Sequence, residues 1–209
     1  PYIAKNILKI ICSNIGIFKK CLIIDLDNTL WGGVIGDDGI DGIRLGDRGI
    51  GTIYSELQRW VLELKRRGIL ITIETEGSRF LETDFKIDLI SLSPKFSNSV
   101  PVIGAITPNG KVTDESMIKR HNKFRLNKPE IRKTLDYHKD YHYKPVWDGT
   151  DKNLEEIEKF RVDMNIPKDK TYIMPAGDTR ETLLKMYPLV FNLCAEIGYN
   201  MTGRDHIIA

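Results

Sequence analysis

The 209 residues are 41% hydrophobic and 29% charged, with a formal net charge of +2. That balance is ordinary for a globular chain and too even to argue for nucleic acid or an anionic membrane. The length allows one α/β domain or two small ones around a substantial core. Apolar runs fall far short of a membrane span and the N-terminus lacks a signal-peptide pattern, so a cytoplasmic chain is expected. The first residue is Pro1 rather than Met, and a fragment or a processed chain is expected. Cys12, Cys21 and Cys194 form no C-x-x-C pair, zinc pattern or disulfide framework. Each reads as a small buried hydrophobe in a reducing compartment.

In chain order, Ile7, Leu8, Ile11 and Ile15 have the spacing of a helix over Tyr2–Ile15. Cys21–Ile24 is an unalternated apolar run, the pattern of a short buried strand. The Gly-rich stretch GGVIGDDGIDGIRLGDRGIG (Gly32–Gly51) is too broken for a regular element. Ile53, Leu57, Trp60, Val61 and Leu64 then mark one face of an amphipathic helix, stopped by Lys65, Arg66, Arg67 and Gly68. Further strands fit Ile69–Thr75, Asp88–Ser93, Tyr143–Trp147, Thr171–Pro175 and His206–Ala209. Further helices fit Glu115–Lys123, Pro129–Tyr141, Asn153–Met164 and Glu181–Ile197, the last disturbed by Pro188. The loop from Ser93 to Thr113, with Pro94, Pro101, Pro108 and Gly110, is the least regular region. This alternation predicts an α/β fold, a mostly parallel sheet flanked by helices, either Rossmann-like or a partial (βα) barrel.

CLIIDLDNTLWGG (Cys21–Gly33) delivers two carboxylates, Asp25 and Asp27, to the end of an apolar strand, at the edge where open α/β sheets bind ligands. Like charges two residues apart repel unless a cation or proton lies between them, and a divalent metal answers that need. The bland alternative is an acidic capping turn, since Asp and Asn favour turns.

The first 70 residues resemble the haloacid dehalogenase (HAD) superfamily in its FkbH-like, phosphatase-related subgroup. DLDNTLWGGVIGDDG (Asp25–Gly39) and ELQRWVLELKRRG (Glu56–Gly68) carry the likeness. It implies that Asp25 attacks phosphorus to form an aspartyl-phosphate and that Asp27 is the general acid/base. Mg2+ would be held by Asp25 and the Asp27 carbonyl. The substrate would be small and phosphorylated or acyl-carrier-linked, with room for a homodimer and no nucleic-acid or membrane partner. Mg2+ suits such chemistry, because a carboxylate is a weak nucleophile until phosphorus is made electrophilic.

Residues 71–209 resemble a different family, the later part of the 7-carboxy-7-deazaguanine synthases, which are radical S-adenosylmethionine (SAM) enzymes. ITIETEGSRF, DLISLSPKFSNS, YIMPAGDTRETLLKMYPLV and GYNMTGRDHI carry it. The resemblance implies SAM or substrate contacts at Glu74, Thr75, Ser93 and Lys95, with His206 near the substrate end. The family's C-x3-C-x2-C motif is absent, so SAM would bind without an own 4Fe–4S cluster, which takes three thiolates here. The chain thus reads as a mosaic, 1–70 and 71–209, packed as one domain. The two likenesses meet inside ELKRRGILITIETEG.

To complete a HAD site the second part must supply a hydroxyl, a lysine and further acids. Thr75 ends the second strand, where the hydroxyl belongs. Lys128 in NKPEIRKTL is the lysine candidate, with Lys95 competing and a solvated lysine as the bland alternative for either. AGDTRE offers Asp178 as a metal ligand with Glu181 nearby, or equally a capping box opening the next helix. His121, His138 and His142 sit among charges; His138 and His142 have i, i+4 spacing, read as a solvated helix face. Trp60 reads as core, and RLNKPEIRK as basic but without interleaved aromatics. The leading function is Mg2+-dependent phosphoryl transfer, with a cluster-less SAM-binding domain or a non-catalytic chimera as rivals.

Overall fold

The computed structural model describes residues 7–8, 11, 14–16, 20–80, 83, 85–106, 110, 112–204 and 207. Most of the expected helix Tyr2–Ile15, Cys12, Pro108, and the expected strand His206–Ala209 apart from Ile207 lie outside the described residues.

The sheet is parallel throughout. β1 (Cys21–Asp25), β2 (Leu70–Thr75), β3 (Leu89–Leu92) and β4 (Tyr141–Tyr143) lie side by side in chain order. β5 (Val146–Trp147), β6 (Tyr172–Pro175) and β7 (Asn200–Met201) continue in the same way. The expected strand Tyr143–Trp147 is split because Pro145 has no N–H to give the ladder. The two halves stay joined through a parallel bridge from Tyr143 to Thr171 and through Met174 N–H donating to the Pro145 carbonyl at 2.9 Å. Strand order is therefore sequential and never reverses. Of the two expected arrangements this is the singly wound one, and the described strands do not close into a barrel.

Helices α1 (Ile35–Asp38), α2 (Gly51–Arg66), α3 (Glu115–Phe124), α4 (Lys128–Tyr137), α5 (Asp151–Asp163) and α6 (Arg180–Ile197) lie between the strands. Parallel partners in register point the same way. Ile24, Ile73 and Ile90 therefore share one face with Leu92 and Tyr143, and this face packs against Val61 of α2, Ile131 of α4 and Ile157 of α5 in one hydrophobic cluster. That cluster draws on both sides of residue 70. The other face carries a polar row across four strands: Asp25, Glu74, Ser91 and His142.

Several expectations change for reasons of position. β1 is not a buried strand: Ile23 is 64% exposed, because β1 pairs only with β2 among the described residues and its outer face lacks a covering helix. Trp60 is not core but 53% exposed. Among the described residues no strand lies beyond β1, so of the α2 stripe Leu57 and Val61 meet the sheet and Trp60 does not. His138 and His142 do not share a helix face. α4 ends at Tyr137, His138 is buried after it, and His142 belongs to β4, where its ring lies 4.3 Å from that of Tyr172. Burial pushes both imidazoles below the usual histidine range, with Lys144 and Lys170 adding to the effect at His142.

α6 opens on Thr179, not on Asp178. The Thr179 side chain accepts the Thr182 N–H at 3.2 Å, and Thr182 Oγ1 in turn accepts the Thr179 N–H at 3.2 Å. Thr179→Ala is expected to cost about 1 kcal/mol in a denaturant melt, and Asp178→Asn to leave the melt unchanged. The reverse result would return the cap to Asp178.

Candidate active site at the tips of the first two strands

β1 ends on Asp25, and the turn after it is held by its own side chains. The Leu26 N–H donates to Asp25 Oδ1 at 2.8 Å. Asp27 Oδ1 accepts from Trp31 Nε1–H and from the Ile35 N–H, both at 3.0 Å. Asn28 stands at φ 54°, a left-handed conformation that Asn tolerates. Its side chain accepts the Gly33 N–H at 2.9 Å, and its own N–H donates to the Gly33 carbonyl at 3.1 Å. Gln58 of α2 donates to the Leu30 carbonyl at 2.7 Å and ties the loop to the helix. The polar residues of DLDNT thus fold the turn locally and fix Asp27 through one oxygen. Asp27 Oδ2 and Asp25 Oδ2 have no hydrogen bond among the described residues.

At the tip of β2, Thr75 Oγ1 accepts the Gly77 N–H at 3.0 Å. Asp25, Asp27, Thr75, Ser78 and Arg79 line one pocket of about 40 Å3, with Trp31 in its wall. Sequence reasoning missed Arg79. Its signal was present, a cation directly after a strand-ending Thr-Glu-Gly turn, but lysine was the residue sought.

Chemically, the pocket is a donor set of hard oxygens. Mg2+ keeps several waters and is bound by one or two carboxylates together with substrate phosphate. The Asp25 carboxylate at the strand tip fits that need, with the Asp27 backbone carbonyl two residues on as a second oxygen. Among the described residues no group of three His, Cys, Asp or Glu side chains forms a closed metal cage.

The structure does not bring the other candidates here. Lys128 opens α4 and pairs with Asp163 at 2.7 Å, so its ammonium is engaged on the helix layer. Asp178 follows β6, four inter-strand spacings from β1, roughly 19 Å along the sheet. It lines a separate cavity of about 490 Å3 with Ser93, Lys95, Asp148 and Arg204. Ser93 Oγ donates to the Lys144 carbonyl at 2.6 Å. Glu74 belongs to neither cavity lining; its Oε1 accepts from Lys144 Nζ at 2.7 Å and from Ser91 Oγ at 3.2 Å on the open sheet face. The set Glu74, Thr75, Ser93 and Lys95 is therefore divided, and only Ser93 and Lys95 share a cavity.

Cys21 is exposed at one edge of the sheet, whereas Cys194 is buried in α6. Burial pushes the Cys194 thiol up, while its contact with the Ile173 backbone opposes the shift. Anaerobic reconstitution with iron and sulfide is expected to give no stable 4Fe–4S cluster, since Cys21 and Cys194 do not converge. Stoichiometric iron and sulfide with a 400-nm-region absorbance would contradict this.

Fold and site together define an α/β protein with a sequential parallel sheet and a carboxylate–hydroxyl–guanidinium pocket at its first two strand tips. No family model matches the chain. It is similar to the 7-carboxy-7-deazaguanine synthase of Rhodopirellula baltica, 29% identical over 145 residues, covering 69% of this chain and 52% of that protein. It is similarly related to that of Halobacterium salinarum, 30% identical over 147 residues, covering 67% of this chain and 54% of that protein. The chain spans about half the length of these curated relatives. Among solved structures, the N-terminal part of a Bacteroides fragilis protein, containing a phosphatase domain complexed with Mg, is 27% identical. That match covers 97% of this chain and 40% of the other, with a TM-score of 0.30, too low to carry an argument. No helix among the described residues is long and apolar enough to cross a membrane.

Proposed function

We propose that the chain catalyses phosphoryl transfer from a phosphate monoester through an aspartyl-phosphate on Asp25. One observation carries this reading: Asp25, Asp27, Thr75 and Arg79, drawn from two strand tips, line a single pocket. Asp25 Oδ2 attacks phosphorus as the bond to the leaving oxygen breaks, and Asp27 Oδ2–H gives that oxygen its proton. Water then attacks the aspartyl-phosphate, Asp27 takes its proton, and the bond from phosphorus to Asp25 breaks to release phosphate. Thr75 and Arg79 hold the non-bridging oxygens, the guanidinium matching their charge and planar spacing. Mg2+, held by the second carboxylate oxygen of Asp25 and the Asp27 backbone carbonyl, would supply charge neutralisation on the phosphoryl group and leave the Asp27 carboxyl to move protons. The test is hydrolysis of p-nitrophenyl phosphate with Mg2+ and with a chelator. Activity restored by Mg2+ supports the reading, and no phosphate release under either condition overturns it.

A second reading is favoured by the similarity to deazaguanine synthases and by the cavity shared by Ser93 and Lys95. It makes the chain a SAM-binding domain without its own cluster. Equilibrium dialysis against labelled SAM, repeated with Lys95→Ala, separates the two, because the phosphatase reading requires no SAM binding.

A further inference from the structure

Beside the carboxylate pocket lies a second cavity, about 430 Å3 in volume, under the helix-covered face of β1–β3. Its walls are almost wholly apolar, formed by Leu30, Ile43, Val61, Ile73, Phe85 and Ile87. Six polar side chains also line it, and four are engaged with backbone. Gln58 donates to the Leu30 carbonyl, Thr134 to the Glu130 carbonyl and Thr83 to the Phe85 carbonyl, while Thr75 accepts the Gly77 N–H. Arg79 and His138 are the other two. A cavity of this character does not hold water well, and one of about 150 Å3 with similar walls takes up benzene. Here the space is almost three times larger, within the range of small-molecule pockets. The lining residues Ile40 and Leu45 are about half exposed, at 52% and 46%, so the cavity opens to solvent along the Gly-rich loop.

The two spaces are neighbours. Leu26, Trp31, Ile35, Thr75 and Arg79 line both. Trp31 shows how the join is built: its indole N–H is bonded to Asp27 while its ring forms apolar wall. The carboxylate pocket alone, at about 40 Å3, has no room for the alcohol part of an ester. Any leaving group must extend out of it, and the adjoining space on the protein side is apolar.

We infer that the substrate is a phosphate monoester of an apolar alcohol, an aryl-alkyl or branched alkyl group, whose hydrocarbon part fills this cavity while its phosphoryl group meets Asp25. This rests on the phosphoryl-transfer reading above. Polyol and sugar phosphates are disfavoured by the same argument, because most of their hydroxyls would lose water against apolar wall without gaining partners.

The experiment compares 2-phenylethyl phosphate with ethyl phosphate and glycerol 3-phosphate, whose leaving alcohols are similar in acidity. The apolar ester is expected to be favoured about 100-fold in kcat/KM. Leu45→Trp, which crowds the half-exposed mouth, is expected to cut that preference at least tenfold, with a melt confirming the fold. A readout free of catalysis is fluorescence titration of 2-naphthol into the Asp25→Asn chain, where saturable binding weakened by Leu45→Trp is expected. Equal kcat/KM for the phenylethyl and ethyl esters overturns this inference and leaves phosphoryl transfer standing. Absence of turnover with every ester overturns the phosphoryl-transfer reading and this inference with it. Failure of 2-naphthol to bind overturns the cavity assignment on its own.

Discussion

Asp25→Asn is expected to abolish Mg2+-dependent hydrolysis of an aryl phosphate, lowering kcat by about 10^3-fold or more. The amide is nearly isosteric and its oxygen still accepts the Leu26 N–H, the one bond that Asp25 makes to its own turn. Asp25 is exposed at the end of β1, so the substitution leaves the core alone and the melting temperature unchanged. What disappears is the anionic nucleophile and with it the covalent step. Acid quench of the wild-type chain with labelled substrate should trap a phosphoryl group on the protein, stable in acid and released by hydroxylamine. The Asn variant should trap none. A variant that retains Mg2+-dependent turnover would remove Asp25 from the reaction.

Gly77→Ala is expected to destabilise the fold by about 2–4 kcal/mol and to disturb the site as well. Gly77 stands at φ 79°, where a side chain is strained. A Cβ there would come within 2.6 Å of Ile131 Cγ1 and 2.8 Å of Leu92 Cδ1. Both neighbours are fully buried and cannot step aside, so overpacking adds to the backbone strain. The same residue gives Thr75 its backbone partner and begins the turn that leads to Arg79. Chemical denaturation should therefore show a lower midpoint, and the soluble remainder should show a raised KM for the phosphate ester. A midpoint within about 0.5 kcal/mol of wild type would mean that the TEGSR turn moves freely, against the tight contacts around it.

The sequence by itself determined the α/β class, because unalternated apolar runs alternate with amphipathic helices and that order admits little else. It determined the position of the acidic turn too, since apolar Cys21–Ile24 ends where Asp25, Asp27 and Asn28 begin. The polar side chains of DLDNT close that turn through short-range bonds, which is why it was legible. Tertiary structure alone decided what stands around it. Sequential strand order makes β1 an edge among the described residues, exposing Ile23 and Trp60, whose spacing reads as core. The same order carries Asp178 to another cavity, and a chain separation of 153 residues gives no sign of that. Lys128 is lost to Asp163, and Arg79 gained, through contacts that depend on how α4, α5 and the TEGSR turn pack. Local hydrogen bonding is written in neighbouring residues, whereas lateral strand order is set by packing across the whole sheet. The site is therefore half readable: its carboxylates come from a local turn, and its cation and apolar annex come from the fold.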